Sequence, residues 1–403
     1  MKFNIKQETL KDSLAIIHRS KALSKVDGED TSLLKIYIDK EQKTISFLST
    51  NNGVWCSAII NNEDSFNIKE NGCVYVDGND FISMMNSYPK GEIVYFETEK
   101  NNDDTSSQLI AKCVNNGDSW DKISSFLISQ PSYFEDEPPK EERNSVVVSS
   151  KELYDAVMSV EFATGGKDTE QEYWGVQIQI FDENDVASFA TDITRICWYD
   201  KKGFNRDKNG TPILKINPYK NTIISSLSCL DLSENVEILF GQRFTILKQK
   251  NQWHGIPNAV TTGDGRMPDC RDLAEGFDND CVATIHVNRQ KLSDFIKSSL
   301  NTSSGKYGIR FDINTDKKRI QYSIDTVETG AVLKTNHKET EKLKQEQIEG
   351  EPFNDSILMA IDNIKDIVSK YKSEVISMKI IDSHSAIQII DKDTHFRFIT
   401  SVL

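Results

Sequence analysis

The sequence predicts an α+β protein assembled from one strand–helix unit written six times. Three observations carry this. The apolar period switches from two to helical spacing at six places. The switches return about every 70 residues, longer than the short solenoid repeats. The stretches between them hold short β-branched runs bounded by turn residues.

In the first unit Phe3 and Ile5 alternate with polar neighbours; Leu10, Leu14 and Ile17 then recur at helical spacing, predicting a helix over 8–23. LLKIYID (33–39), KTISFLS (43–49) and GVWCSAII (53–60) read as a meander. The second unit opens with CVYVD (73–77), followed by a helix from Asp80 to Tyr88 that Pro89 and Gly91 stop. EIVYFETE (92–99) and SQLIAKCV (107–114) are its strands. SVVVS (145–149) with a helix over 151–162 makes the third, and PILKI (212–216) with a helix from Pro218 to Cys229 the fourth. VATIHV (282–287) and a helix over 290–300 make the fifth. The sixth is expected as a strand from Glu349 to Phe353 and a helix over 355–371.

One such unit cannot close a sizeable core, whereas two together have ordinary domain size. The chain therefore divides into three expected domains, 1–130, 143–270 and 280–403. QPSYFEDEPPKEERN reads as the first linker, and RDLAEGFDND marks the second boundary. Closing such repeats into a ring would remove free sheet edges.

The 403 residues carry a net charge of −14, which opposes general adhesion to nucleic acid without excluding one less acidic working surface. No apolar run reaches membrane-spanning length and the first residues lack a leader's apolar core, so a cytoplasmic protein is expected. Seven cysteines form no CxxC pair and read as free thiols in a reducing compartment. His18, His254, His286, His337, His384 and His395 share no metal-ligand frame, and His286 reads as a structural histidine on a strand. DENDVASFATD (182–192) lacks the calcium-loop order and reads as a hairpin. No nucleophile elbow, phosphate loop or dinucleotide fingerprint is present, so neither catalysis nor a cofactor is expected. An α+β enzyme whose site assembles from distant residues is the remote alternative.

The six helix segments together hold a small positive balance inside this acidic chain. Lys11, Arg19, Lys21, Lys25, Lys220, Arg289, Lys291, Lys297, Lys365, Lys370 and Lys372 supply it. A mildly basic surface of this kind touches phosphates without reading bases.

Several strings are more specific. MKFNIKQETLKDSLAII, FATDITRICWY (189–199), DGRMPDCRDL (264–273), FNDSILMAI (353–361), DSHSAIQIID (382–391) and the closing FRFITSVL resemble, in order, segments of the bacterial replicative sliding clamp, the β subunit of DNA polymerase III. The resemblance spans essentially the whole chain and marks a divergent member of bacterial or phage origin. It implies the DNA clamp fold: three similar domains, helices inside and sheets outside, in a head-to-tail ring dimer around duplex DNA. The ring is not an enzyme; it tethers the polymerase and contacts polymerase and clamp loader through short peptides bound between the second and third domains. Carried onto this sequence, that groove comprises Tyr173, Thr191, Ile193, Thr194, Arg195, Ile196, Pro268, Asp272, Leu273, Asn354, Ile357, His384, Ile399, Thr400, Ser401 and Val402. Lys25 falls at the family's basic position after the first helix, and Leu109, Ile110 and Leu300 at the subunit interface. Departures fall in the groove: Ile193-Thr194 replaces Gly-His, Asp272 replaces an arginine, and the terminus reads Ile-Thr-Ser-Val-Leu. They imply an altered peptide preference. A clamp-fold interaction module that no longer threads DNA is the nearer alternative.

Overall fold

The structure, a computed structural model, describes residues 1–23, 32–51, 53–100, 107–113, 122–131, 134–166, 168–202, 211–259, 276–300, 307–328, 331–391 and 396–400. Its first strands are β1 (Lys2–Lys6), β2 (Leu33–Asp39), β3 (Thr44–Asn51), β4 (Val54–Ile60), β5 (Phe66–Glu70) and β6 (Gly72–Asp77). Next come β7 (Ile93–Lys100), β8 (Ser107–Cys113), β9 (Lys122–Leu127) and β10 (Asn144–Ser149). The middle of the chain gives β11 (Gln177–Asp182), β12 (Asp185–Thr191), β13 (Arg195–Asp200), β14 (Leu214–Ile216), β15 (Asn235–Phe240), β16 (Phe244–Gln249) and β17 (Gln252–Pro257). The last third gives β18 (Ala283–Asn288), β19 (Tyr307–Asn314), β20 (Arg319–Glu328), β21 (Ala331–Lys342) and β22 (Ile348–Gly350). It ends with β23 (Asn354–Ala360), β24 (Val375–Ile380), β25 (Ile387–Asp391) and β26 (Phe396–Thr400).

Each expected helix follows its strand: α1 (Gln7–Arg19), α2 (Gly78–Asn86), α3 (Ser150–Val160), α4 (Lys220–Leu227), α5 (Arg289–Leu300) and α6 (Ile361–Lys370). The sixth unit departs from expectation. Residues 354–360 form β23 rather than the start of a helix, because Ile357 and Met359 turn inward at a period of two while the stretch pairs with β19. Helical spacing begins at Ile361 and continues through Ile364, Ile367 and Val368.

By contacts the chain groups into two compact units, 1–151 with 218–258, and 152–217 with 259–403. The first holds a five-stranded sheet, β5-β1-β7-β8-β9, and an eight-stranded sheet, β10-β15-β16-β17-β4-β3-β2-β6. Leu10, Leu14 and Ile17 of α1 and Phe81 and Met85 of α2 bury themselves against Ile36, Phe47 and Phe96. Phe96 stacks on Phe3 at 4.7 Å between ring centroids. Asp77 starts α2 by accepting the Asp80 N–H at 2.9 Å.

Within that eight-stranded sheet, β4 pairs antiparallel with β17, setting Cys56 opposite His254 and Ser57 opposite Trp253. Residues 134–143, read from sequence as a linker, lie across this sheet. Phe134 meets the Tyr75 ring edge-on at 5.1 Å, the Trp55 indole donates to the Glu135 carbonyl (3.2 Å), and Lys35 pairs with Asp136 (2.5 Å). Glu141 accepts the N–H groups of Arg243 (3.2 Å) and Phe244 (3.0 Å). Gly255 makes room for the strap, since a Cβ there would stand 2.6 Å from Pro138 Cγ.

The second unit holds a nine-stranded sheet, β14-β11-β12-β13-β26-β25-β24-β18-β22, and a four-stranded sheet, β21-β20-β19-β23. Its β13 pairs antiparallel with β26, setting Ile196 opposite Ile399 and Trp198 opposite Arg397. Residues 182–185 close the expected hairpin between β11 and β12. Cys56, Cys113, Cys197 and Cys229 are buried free thiols, whereas Cys73 is exposed and Cys281 half-buried.

His254 is wholly buried beside the β4–β17 pairing, its Nε2 3.0 Å from Gln252 Oε1, and burial pushes its imidazole down to about 4. The unfolded value is about 6.5, so on acidification the unfolded chain takes up this proton first. The resulting stability is whole above pH ~6.5 and is lost as pH falls toward the folded value, roughly 3 kcal/mol in all. Denaturant melts from pH 7 to pH 4 test this: stability should fall, and His254→Leu should remove part of the slope. An unchanged slope in the variant would contradict it.

Candidate functional site

The segment joining β12 to β13 is a turn whose polar groups are consumed internally. Asp192 Oδ1 accepts the N–H groups of Thr194 (3.1 Å) and Arg195 (3.0 Å) and the Thr194 hydroxyl (2.8 Å). Asp192 Oδ2 accepts Arg195 Nε–H at 2.7 Å. Thr191 donates its hydroxyl to the Arg195 carbonyl (2.8 Å) and accepts the Ile193 N–H (3.1 Å). Ile193 is thereby held at φ +80°, a left-handed conformation that a β-branched residue rarely adopts, with its side chain 64% exposed.

Arg195 bolts this turn to α6. Its Nη1 reaches Asn363 Oδ1 (3.4 Å) and Asp366 Oδ2 (3.5 Å), and its guanidinium lies 6.0 Å from the Phe162 ring centre. Asn363 in turn donates to the Thr400 hydroxyl at 2.9 Å. Burial raises the Asp366 carboxyl and Arg195 opposes that rise. Ile196 packs, half-buried, against a cluster of Ala187, Phe189 and Trp198.

The β13–β26 pairing thus gathers Thr191, Ile193, Thr194, Arg195, Ile196, Ile399 and Thr400. Asn363, Asp366 and Phe162 join them but were missed from sequence; the i, i+3 spacing of Asn363 and Asp366 on one helix face was the available signal. Three groove assignments need correction as surface contacts: Ile357 and Thr400 have no exposed surface and Thr191 has 2%. Ile357 faces the core because β23 is a strand, and the two threonines serve the turn and Asn363. Tyr173 is half-buried on a short 3-10 turn, Gln171–Trp174. Asn354 donates to Asp316 (2.6 Å) at the start of β23, and His384 sits exposed in a turn capped by Asp382. Pro268, Asp272, Leu273, Ser401 and Val402 lie outside the described residues, as does the DGRMPDCRDL string.

Several of the helix cations are engaged by the protein: Arg19 donates to the carbonyls of Ala15 and Ser228 (both 3.2 Å), and Arg289 to that of Ser373 (2.8 Å). Lys291 pairs with Glu341 (3.1 Å), and Lys370 donates to the Met158 carbonyl (2.9 Å) and Glu161 (3.1 Å). Lys297, Lys365 and Lys372 are exposed, and Lys11 and Lys220 half-buried. Lys25 and the Lys21 side chain lie outside the described residues.

The subunit-edge assignment also changes. Leu109 and Ile110 stand on β8, which is paired on both sides, and Leu109 has no exposed surface. The sheet ends at β9, where Ile123 (57%) and Leu127 (63%) face solvent. The Leu300 side chain lies outside the described residues.

One array has the connectivity of a hydrolase triad: Ser377 Oγ lies 2.9 Å from His286 Nδ1, and Glu349 Oε1 3.1 Å from His286 Nε2. The Ser377 side chain is buried, so the array stitches β24, β18 and β22 together instead of offering a nucleophile to a substrate. Among the described residues no three His, Cys, Asp or Glu side chains converge on a metal position, and no helix is long and apolar enough to cross a membrane.

No family model and no curated protein matches this chain. Solved structures do. The DNA polymerase III subunit beta of Pseudomonas aeruginosa is similar over 100% of both chains, with a TM-score of 0.79 at 16% identity. The DNA polymerase sliding clamp of Bacillus subtilis has a TM-score of 0.76 at 16% identity, covering 100% of this chain and 99% of its own. A Pseudomonas aeruginosa sliding clamp bound to griselimycin has a TM-score of 0.77 at 15% identity, with the same coverage. The chain has the sliding-clamp fold, and at these identities the likeness is one of fold.

The strain at Ile193 has a direct consequence. Ile193→Gly should raise unfolding free energy by about 1 kcal/mol, because glycine adopts φ > 0 without a Cβ penalty. Thermal melts read this; a variant less stable than wild type would mean that the turn is not strained.

Proposed function

We propose that this chain is a processivity clamp for a DNA polymerase: a non-catalytic ring that encircles duplex DNA and slides without reading sequence. The observation that carries the reading is which strands meet. After each helix come three consecutive strands, and the third is the outermost of its own run. The third strands after α1 and α4 pair as β4–β17, and those after α3 and α6 pair as β13–β26. Two equivalent strands are left over, β9 after α2 and β21 after α5, and among the described residues both are edges. Each copy therefore offers one edge of each kind, and two copies joined head to tail satisfy all of them.

In this reading the chain has three domains, 1–130, 143–270 and 280–403, and the helices face the hole. The exposed Lys297, Lys365 and Lys372 and the half-buried Lys11 and Lys220 meet phosphates loosely, which suits a sliding partner. Lys21 and Lys25 would extend that surface. Retention is topological: leaving a circle requires opening a β9–β21 pairing rather than breaking phosphate contacts. Such a ring works in a bacterial cytoplasm, host or phage-infected, and needs no cofactor.

The polymerase and a loader would dock short peptides beside the β13–β26 pairing. Ile193, Ile196 and Ile399 offer apolar contact there, and the turn is rigid in advance of binding. Tyr173, Asn354 and His384, with Pro268, Asp272, Leu273, Ser401 and Val402, would complete the groove.

Retention on primed circular DNA should survive moderate salt and vanish when the circle is cut. Salt-sensitive retention that ignores linearisation would defeat the ring and leave an interaction module of the same fold. A short polymerase-derived peptide probes the groove: calorimetric titration should give tighter binding to wild type than to Ile193→Gly. Equal affinities would remove Ile193 from the groove.

A further inference from the structure

A polar site lies under a clip on one face of the nine-stranded sheet. Residues opposite each other across antiparallel strands point to the same face. The pairings of β24, β25, β26 and β13 therefore set Lys379, Gln388, Ile399 and Ile196 in one row, and Ser377, Ile390, Arg397 and Trp198 in the next. Asp278, ahead of β18, closes over both rows. One of its carboxylate oxygens meets the Lys379 ammonium of β24, and the other lies 3.6 Å from Arg397 Nη1 of β26. Because β25 runs between β24 and β26, the carboxylate bridges it. Arg397 in turn sits over the Trp198 ring at 5.6 Å, and Trp198 stacks on Phe189 at 5.8 Å.

Gln388, on the bridged strand, has no exposed surface, and neither its Oε1 nor its Nε2 has a hydrogen-bond partner among the described residues. A buried amide left unpaired at both ends costs free energy on the scale of the hydrogen bonds it forgoes. Leucine at this position would pack without that cost. A side-chain amide presents an acceptor and donors side by side, which matches the N–H and C=O of a passing backbone. The two cations beside it match a carboxylate. Burial pushes the Arg397 guanidinium down to about 10, and the Asp278 charge opposes that fall. The site thus needs an acid on its cations and has an amide with nothing to bind.

We propose that Lys379, Arg397 and Gln388 form a site for an acidic group of a docking peptide, and that Asp278 occupies the site while no peptide is bound. The inference rests on the groove reading at the β13–β26 pairing and names the partner's chemistry: apolar anchors on Ile196 and Ile399, continued by a carboxylate. Gln388 stands directly opposite Ile399, which stands directly opposite Ile196, so one extended peptide crossing the strands meets all three. Its carboxylate replaces that of Asp278 on the two cations, its backbone pairs with the Gln388 amide, and residues 276–280 swing aside. Occupancy by Asp278 keeps the cations compensated in the empty protein. A ligand without an acid gains nothing by displacing it.

The test uses two polymerase-derived peptides that differ only in carrying Glu or Gln beside the apolar anchors. In calorimetric titrations Asp278→Asn, with an unchanged circular dichroism spectrum, should widen the preference for the Glu peptide about fivefold over that of wild type. Gln388→Leu should raise the melting temperature by roughly 2 °C yet weaken binding of the Glu peptide. A glutamine with a purely structural role would not move the binding. An unchanged preference in Asp278→Asn overturns the clip and leaves the groove standing, as does a Gln388→Leu that binds like wild type. Where Asp278→Asn does not fold, Gln388→Leu decides alone. If neither peptide binds wild type or either variant, the groove reading falls and this site with it.

Discussion

Antiparallel hydrogen bonding between third strands is the constraint on which the rest of this molecule depends. An edge strand carries a row of unpaired N–H and C=O groups, and leaving it open invites association with any other chain. The chain answers this twice internally, joining β4 to β17 and β13 to β26. Those pairings merge four three-strand runs into two long sheets, fix which helix ends meet, and decide that Ile196 stands beside Ile399. Even the strap over 134–143 is a consequence. It can lie flat across β17 because Gly255 has no Cβ to strike Pro138.

The charge distribution reads differently once these pairings are in view. A mildly basic set of helices suggests a phosphate-facing surface, yet Arg19, Arg289, Lys291 and Lys370 spend their donors on the protein itself. Two of them cap carbonyls at helix ends, where a cation is favourable in any case. What remains for a nucleic acid is a sparse set of exposed lysines in a chain of net charge −14. In the proposed ring, weak contact suffices because retention would come from closure, and the thin positive balance and the edges β9 and β21 are consistent with that proposal.

The turn at 191–195 shows how a chain can hold a left-handed residue without using glycine. Thr191 and Asp192 accept the N–H groups of Ile193, Thr194 and Arg195, and Arg195 ties the turn to α6. The backbone is over-determined, so Ile193 can be held in the left-handed region that favours glycine, its side chain standing in solvent.

Periodicity alone placed the helices expected from about residue 8, Asp80, Lys151, Pro218 and Gln290 and most of the strands, because burial on one face writes itself into spacing. It failed at Ile357, whose neighbours suit a helix as well as a strand; pairing with β19 decided for the strand. The resemblance, not alternation, put Leu109 and Ile110 at a subunit edge; alternation reports which face is buried but not that β9 lies outside β8. Periodicity could not see Asn363 and Asp366 beside Arg195, or Lys122 beside Ser87, because those neighbours are far apart in the chain and meet only through packing. The sequence by itself determined the repeated unit and the free thiols. Which strand pairs with which, which cations are already engaged, and which edges are left for a partner were decided by tertiary structure, because each depends on long-range hydrogen bonds that no local pattern encodes.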